Sequence, residues 1–186
     1  LWNLHKPRVV RRLKSNRKAY MWLVIITVLI LVLDQWTKWL VRSNLALGEV
    51  WSPYEWLTPY ARIVHWYNTG VAFGMFQGMG WVFAILSMII SVFIIVFYGK
   101  VPARDWPLRV ALILQLGGAL GNLIDRLTVG HVTDFISLGN FAVFNVADSC
   151  ITVGVVVMIL GFWYIERQEK RLAKELAAEQ KENPEL

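Results

Sequence analysis

Two aspartates in the second half of the chain have no basic partner near them in sequence. Asp134 and Asp148 lie between Arg126 and Arg167, and no Lys or Arg occurs between those two arginines. If the fold brings the two carboxylates together, they cannot both ionise easily, and the pKa of one of them rises. Such a pair can share one proton, as in aspartic proteases, where one carboxylate deprotonates water and the other protonates a carbonyl. The pattern therefore favours acid–base hydrolysis over metal-assisted hydrolysis, with Asp134 and Asp148 as candidate catalytic residues.

More polar residues interrupt segments that are otherwise apolar. Asp34 and Lys38 are spaced i, i+4, while Asn122, Asp125 and Arg126 are spaced i, i+3, i+4. At these spacings the members of each set share one face of a helix. We expect Asp34–Lys38 and Asp125–Arg126 to form charge-balanced pairs. A structural ion pair that ties helices together explains these residues as well as a functional role does.

The composition is that of a membrane protein. The 186 residues are 56% hydrophobic and 17% charged, against a usual charged share of about 25%. A single cysteine, Cys150, excludes an intramolecular disulfide and a thiolate zinc cluster. We interpret Cys150, which lies within an apolar run, as a packing residue.

Four apolar blocks are each close to the length that crosses a bilayer as a helix, which is about 20 residues. They predict spans over 20–41, 81–98, 108–127 and 146–165 of a domain that covers 19–165. A cleaved signal peptide is the alternative for the first block, but no A-x-A site follows it and three more blocks do. Residues 1–18 are predicted to be a basic segment, and residues 166–186 a charged, solvated helical tail.

The basic residues predict the orientation of the chain. Seven lie in residues 1–18, three in 99–109 and five after residue 165, which together are fifteen of the nineteen. The positive-inside rule then places both termini in the cytoplasm and the loops 42–80 and 128–145 outside. Nucleic-acid binding is a weaker explanation for the basic N-terminus, because membrane flanking already accounts for it.

This topology brings the polar residues of three spans to one depth. Asp34 lies about 21 Å from the inner side at 1.5 Å per residue, and Asp125, Arg126 and Asp148 lie at the outer ends of their spans. Charges inside membrane spans usually face a bundle interior or a cavity. The sequence therefore predicts a site at the outer membrane boundary.

Other catalytic systems are less well supported. His131 and Ser137 could complete a Ser–His–Asp arrangement with Asp134, but the G-x-S-x-G elbow is absent. A metal bound by His131, Asp134 and Asp148 is a further alternative, although no metal-ligand helix motif such as H-E-x-x-H is present. A proton relay or small transporter would require charges spread over the membrane depth and inverted repeats. A non-catalytic lipid-binding protein would tolerate Asn at both aspartates.

The remaining motifs predict local structure. Gly117-x-x-x-Gly121 is typical of close helix packing, and Asn68-Thr69-Gly70 of a turn. The stretch from Arg62 to Phe76 predicts outward-facing strands, and residues 141–144 predict a short strand or a loop. The outer loop is expected to form an interfacial aromatic belt, which consists of Trp51, Tyr54, Trp56, Tyr60, Trp66 and Tyr67.

Five blocks of the sequence resemble the lipoprotein signal peptidases, the signal peptidase II family. The blocks, in chain order, are similar to the family's D-Q-x-x-K, N-x-G-x-A-F, G-G-A-x-G-N-x-x-D-R, V-x-D-F and F-N-x-A-D-S. In this chain they are Asp34–Lys38, Tyr67–Phe73, Gly117–Arg126, Val132–Phe135 and Phe144–Ser149.

The resemblance implies an aspartic endopeptidase of the bacterial inner membrane that needs no cofactor. It would cleave diacylglyceryl-modified prolipoproteins before the lipidated cysteine, with membrane lipids around it and as a monomer. The implied fold is four transmembrane helices with a small extracytoplasmic β-cradle and an interfacial helix. The family's catalytic pair maps to Asp134 and Asp148, and its supporting polar or substrate-binding residues map to Asp34, Lys38, Asn68, Gly70, Asn122, Asp125, Arg126 and Asn145.

Overall fold

The computed structural model describes residues 8–70 and 76–182, with side chains over 17–70 and 76–175. These residues contain four α-helices and three strands. In chain order they are α1 (Arg8–Asn44), β1 (Val50–Trp51), β2 (Ala61–Asn68), α2 (Gly80–Tyr98), α3 (Trp106–Thr128), β3 (Val132–Leu138) and α4 (Val146–Glu182). The predicted all-α membrane fold with a small sheet is confirmed.

Each helix contains a segment that is long and apolar enough to cross a membrane. The segments are Arg17–Asn44, Gly80–Tyr98, Trp106–Thr128 and Val146–Glu175. They contain all four predicted spans, and α1 and α4 run well beyond them. Helix α1 also reaches Asn44, three residues beyond its predicted end, so it includes Arg42, which the sequence placed in the following loop.

Helix α3 is the centre of the bundle, since it packs against each of the other three helices. Its glycines make this close approach possible, as the Gly117–Gly121 spacing predicted. A Cβ atom on Gly117 would lie 2.7 Å from the side chain of Ile30 on α1, and one on Gly118 would collide with the carbonyl oxygen of Ala147 on α4. An apolar core at the bundle end away from the sheet consists of Ala19, Leu23, Ile94, Tyr98, Ile113 and Leu116.

The three strands form one antiparallel sheet in the order β1-β2-β3. Opposite residues of β2 and β3 include Trp66 with Asp134 and Tyr67 with Thr133, with an irregularity in register between Ile63 and Trp66. The predicted strand over Arg62–Phe76 is shorter than expected: β2 ends at Asn68, and Val71–Met75 lie outside the described residues. The same holds for Val71–Phe73 of the second resemblance block.

The segment after β3 is a loop that makes a single bridge. Phe144 pairs with Ile136 of β3 as an isolated antiparallel bridge, with hydrogen bonds of 2.7 Å and 3.0 Å between their backbones. Of the two structures predicted for residues 141–144, a short strand or a loop, the loop is therefore the one observed. The bridge also holds Asn145, the next residue, beside β3.

The exposed aromatic residues of the loop between α1 and α2 lie around the sheet. All six predicted belt residues are exposed. The helical part of this loop is a single 3-10 turn at Glu55–Leu57, among the residues that the structure describes. At the other end of the chain, α4 continues as an exposed charged helix through the predicted tail, as far as its side chains are described.

Candidate active site

A buried ion-pair cluster links α1 to α3. Lys38 and Asp34 are fully buried, and the Lys38 Nζ atom lies 2.8 Å from Asp34 Oδ2 and 3.3 Å from Asp125 Oδ2. It also donates to Asn122 Oδ1 at 3.0 Å. The predicted Asp34–Lys38 pair is confirmed. A buried charge is tolerated when it is paired and hydrogen-bonded, and this cluster meets both conditions.

The predicted Asp125–Arg126 pair is wrong. Adjacent residues on a helix point in different directions, so their side chains do not face each other. Asp125 instead faces α1, where Arg42 Nη1 lies 3.5 Å from its Oδ1 atom. Arg126 turns the other way: its guanidinium donates to the carbonyl oxygen of Gly70 at 3.3 Å and to that of Asn122 at 3.5 Å.

The carboxylates of Asp134 and Asp148 meet around one asparagine. Asn145 Nδ2 donates to Asp134 Oδ1 at 2.8 Å, and the Asn145 backbone N–H donates to Asp148 Oδ2 at 3.1 Å. Asn122 Nδ2 donates to the other oxygen of Asp148 at 2.7 Å. Amide groups therefore hold both carboxylates, and no ion pair involves either of them among the described residues.

The environment of Asp134 favours its protonated form. Asp134 lies on β3 and is only 2% exposed. Burial, and to a smaller extent the negative charge of Asp148, raise the pKa of Asp134 to about 7. Hydrogen bonds from Asn145 and Asn68 and the charge of Lys38 act in the opposite direction. Desolvation of an unpaired carboxylate is the larger effect here, as expected for a buried acid.

The turn after β2 places one more amide on this pair. Asn68 Nδ2 donates to Asp134 Oδ2 at 3.3 Å, while Asn68 Oδ1 accepts the backbone N–H of Gly70 at 2.9 Å. The Asn68 side chain therefore closes its own turn and contacts the site at the same time. Thr69 extends the turn, because its Oγ1 atom bonds the Gln77 side chain and accepts the N–H of Gly78.

A cavity of about 670 Å³ lies beside the two carboxylates. Asn68, Asn122, Arg126, Asp134 and Asp148 line its polar part. The rest of the wall comes mostly from apolar side chains of α2, α3, α4 and the loop 141–144. Arg126 is one of these lining residues, and its Nε atom is buried with no hydrogen-bond partner among the described residues. The cavity thus combines an apolar channel with donors and two carboxylates, a combination suited to an extended, largely apolar ligand.

All ten predicted site residues therefore belong to one hydrogen-bonded assembly. Sequence reasoning missed Arg42, Gln35 and Thr133 as members. Gln35 Nε2 donates to Asp34, to Asp125 and to the Gly121 carbonyl oxygen. A signal for Arg42 was present, because it lies one helical turn beyond Lys38 on the same face.

Among the described residues, the side chains of the alternative Ser–His–Asp and metal sites do not come together. His131 packs against Tyr67, with ring centroids 4.6 Å apart and ring planes tilted by 45°, and burial lowers the pKa of His131. No hydrogen bond joins His131 to Ser137 or to Asp134 in the described part of the chain. Within residues 17–70 and 76–175 no three His, Cys, Asp or Glu side chains are grouped so that they could hold a metal ion.

Fold and site together define a polytopic membrane protein with a buried two-carboxylate site beside an apolar cavity. Residues 26–164 match the family described as signal peptidase (SPase) II. The chain belongs to this family, and it is a bacterial membrane peptidase.

Individual relatives agree with the family. A lipoprotein signal peptidase of Halalkalibacterium halodurans is 38% identical over 151 residues, which cover 79% of this chain and 95% of the relative. One of Dehalococcoides mccartyi is 44% identical over 131 residues, covering 68% and 79%. A solved bacterial membrane enzyme is similar with a TM-score of 0.70 and 31% identity, covering 76% of this chain and 87% of the other.

Proposed function

We propose that this chain is an aspartic endopeptidase that removes the signal peptide from diacylglyceryl-modified prolipoproteins, cleaving before the lipidated cysteine. The observation that carries this proposal is the joining of Asp134 and Asp148 by Asn145, at the end of an apolar cavity. The names of the relatives support the substrate class. They favour a peptidase over the transport and lipid-binding alternatives.

The two carboxylates share the proton chemistry of peptide hydrolysis. Asp148 takes a proton from a water molecule, and the oxygen of that water attacks the scissile carbonyl carbon. Asp134, which holds the shared proton, donates it to the carbonyl oxygen, and a tetrahedral gem-diol forms without a covalent enzyme adduct. Asp148 then passes its proton to the leaving nitrogen, and Asp134 recovers one from a gem-diol hydroxyl as the C–N bond breaks. The raised pKa of Asp134 supports its assignment as the proton donor.

The neighbouring amides and Arg126 position the pair and the substrate. Asn68, Asn122 and Asn145 orient the carboxylates through N–H donors. The Arg126 guanidinium lines the cavity, and its Nε atom has no partner among the described residues, so a small shift of the side chain would let it donate to a backbone carbonyl of the bound peptide. The buried Asp34, Lys38 and Asp125 hold α1 and α3 in register behind the site.

The apolar cavity suits a signal peptide that enters from the bilayer. Its walls come from α2, α3, α4 and the loop 141–144, and they expose mainly apolar side chains. The substrate's acyl chains stay in lipid, while the bond next to the modified cysteine reaches Asp134 and Asp148. This arrangement requires the site to lie at the outer boundary of the cytoplasmic membrane, with both termini in the cytoplasm.

The direct test is cleavage of a diacylglyceryl-modified prolipoprotein beside its unmodified precursor by purified protein, with the product's N-terminus read by mass spectrometry. We expect cleavage of the lipidated precursor only. Asp134→Asn and Asp148→Asn should each lower the rate by roughly 10³-fold or more, since neither half of the proton transfer works alone. Glu55→Gln, a matched change at an exposed carboxylate of the outer loop, should leave the rate unchanged.

Folding of each variant is checked by its melting temperature and its elution profile. Cleavage that survives in folded Asp134→Asn would refute the carboxylate pair, and a folded but inactive unmutated protein would refute the activity. We propose that the protein is a monomer, because one chain supplies all ten site residues. Light scattering of the same sample measures its mass and so tests this oligomeric state.

The orientation has an independent test. Cys150 is the only cysteine, so Cys150→Ser gives a background free of thiols. Single cysteines are then placed at Glu55 in the outer loop and at Arg104 in the loop between α2 and α3. In intact spheroplasts an impermeant maleimide should label position 55 and not position 104, and the reverse result would invert the topology.

A further inference from the structure

Arg42 connects the last turn of α1 to the strand that carries Asp134. Its Nη1 atom donates to Thr133 Oγ1 at 2.9 Å and lies 3.5 Å from Asp125 Oδ1. The side chain is 25% exposed, and it is not among the residues that line the large cavity. Arg42 is therefore close to the site without facing the substrate.

Thr133 is held at three of its polar atoms. Its backbone N–H donates to Asp125 Oδ2 at 2.9 Å, and its hydroxyl accepts from Arg42. Its carbonyl oxygen accepts Asn145 Nδ2 at 3.4 Å. The residue is fully buried, and Asp134 follows it directly, so any shift of Thr133 also moves the Asp134 carboxylate.

We propose that Arg42 is a positioning residue, which fixes the Asp134 backbone through the hydroxyl of Thr133. Successive side chains of a strand point to opposite faces, so Arg42 can hold the rear of β3 while Asp134 faces the cavity. Displacement of a reacting group by about 1 Å costs up to about 10²-fold in rate. The catalytic part of this inference rests on the proposed function.

The alternative to positioning is a purely structural role, in which the charge of Arg42 only balances the ion-pair cluster. The cluster contains the carboxylates of Asp34 and Asp125 and the cations of Lys38 and Arg42. The charged groups that interact electrostatically with Asp134 are Asp148 of α4, Lys38 of α1 and Arg126 of α3. A structural role predicts lower stability without a specific link to the Thr133 hydroxyl, and this difference can be measured.

The test compares Arg42→Gln, Thr133→Val and the double variant in the cleavage assay. Thr133→Val removes the hydroxyl but retains the backbone N–H that Asp125 binds. We expect each single variant to lower kcat about 10-fold with little change in KM, and the double variant to lose no more than either one. Arg42→Lys should recover part of kcat, because its ammonium group lies on a side chain nearly as long as that of Arg and can still reach the hydroxyl, whereas the shorter Gln side chain cannot. Arg104→Gln, the same change at an exposed arginine paired with Asp105, is the control.

Hydrogen exchange gives a measurement that does not depend on activity. Arg42→Gln and Thr133→Val should both speed amide exchange over β3, residues 132–138, relative to the unmutated protein and to Arg104→Gln. An unchanged kcat in folded Arg42→Gln overturns the inference. Full kcat in Thr133→Val overturns it as well, as do fully additive losses in the double variant.

These outcomes are separable from failure of the proposed function. If Asp134→Asn abolishes cleavage while Arg42→Gln and Thr133→Val cleave normally, the peptidase stands and the positioning role falls. If the unmutated protein cleaves nothing, the proposed function falls, and the exchange rates of β3 alone decide whether Arg42 holds the strand. Should Arg42→Gln fail to fold, Thr133→Val still decides the role of the hydroxyl.

Discussion

Asn145 and Asp148 cap the start of α4 by bonding to each other. The Asn145 side-chain oxygen accepts the Asp148 backbone N–H at 2.9 Å, and Asp148 Oδ2 accepts the Asn145 backbone N–H at 3.1 Å. This reciprocal pair has the geometry of a capping box, in which the two residues satisfy N–H groups that a helix start leaves free. The cap fixes the Asp148 carboxylate. The nitrogen of the same side chain, Asn145 Nδ2, donates to Asp134.

Replacing Asn145 should separate helix capping from site geometry. Asn145→Ser keeps an oxygen that can cap the helix, so we expect the capping contribution to the free energy of unfolding to change by less than about 0.5 kcal/mol. It loses the donor to Asp134, so kcat should fall about 10- to 100-fold. Asn145→Ala loses the same donor and also the cap, so it should be less stable than Asn145→Ser by about 1 kcal/mol. Thermal melts and cleavage rates of the two variants check this, and full activity in Asn145→Ser would show that the donor to Asp134 is dispensable.

The pH dependence of cleavage should follow the shared proton. Burial and the charge of Asp148 raise the pKa of Asp134 to about 7, so the pair loses its last proton as the pH rises through that value. The hydrolytic form needs one proton, and kcat/KM should therefore fall about tenfold per pH unit above about pH 7. Initial rates with a lipidated peptide between pH 5 and 9 test this. A flat profile up to pH 9 would contradict the assignment of the proton to Asp134.

Lys38→Met should destabilise the bundle, and a second change should repair part of the loss. Removing the ammonium leaves the fully buried carboxylates of Asp34 and Asp125 without their closest cation. Breaking a buried ion pair from one side costs about 3 to 5 kcal/mol. Asp34→Asn in the same chain removes one of the uncompensated charges, so the double variant should melt at a higher temperature than Lys38→Met alone. A double variant that is less stable than Lys38→Met would refute this account of the cluster.

Gly121→Ala should disturb the contact between α3 and α1 directly at the site. The added Cβ atom would lie 2.7 Å from Asp34 Oδ2 and 3.2 Å from the Ala147 side chain. Alanine normally favours a helix over glycine by about 1 kcal/mol, but overpacking costs about 1 to 3 kcal/mol. We expect net destabilisation together with reduced cleavage. The matched variant is Gly80→Ala, whose Cβ would make an ordinary 3.4 Å contact, and equal melting temperatures for the two would argue against steric exclusion at Gly121.

Several features followed from local sequence alone. The apolar blocks predicted four spans because a bilayer requires long apolar helices that satisfy their own backbone groups. The i, i+4 spacing of Asp34 and Lys38 predicted their ion pair, since neighbours on one helix face do not depend on the rest of the fold. The lack of basic residues near Asp134 and Asp148 predicted two unpaired carboxylates.

Tertiary structure alone decided which groups meet across elements. The partners of Asp125 are on α1 and β3 and not beside it on α3, because helix periodicity sets the direction of a side chain but not the neighbour that lies there. The joining of Asp134 to Asp148 depends on the bridge between Phe144 and Ile136, which places Asn145 between a strand and a helix start. The spacing from Lys38 places Arg42 on the same helix face, but its contact with Thr133 also requires that α1 continues past its apolar stretch and packs against β3.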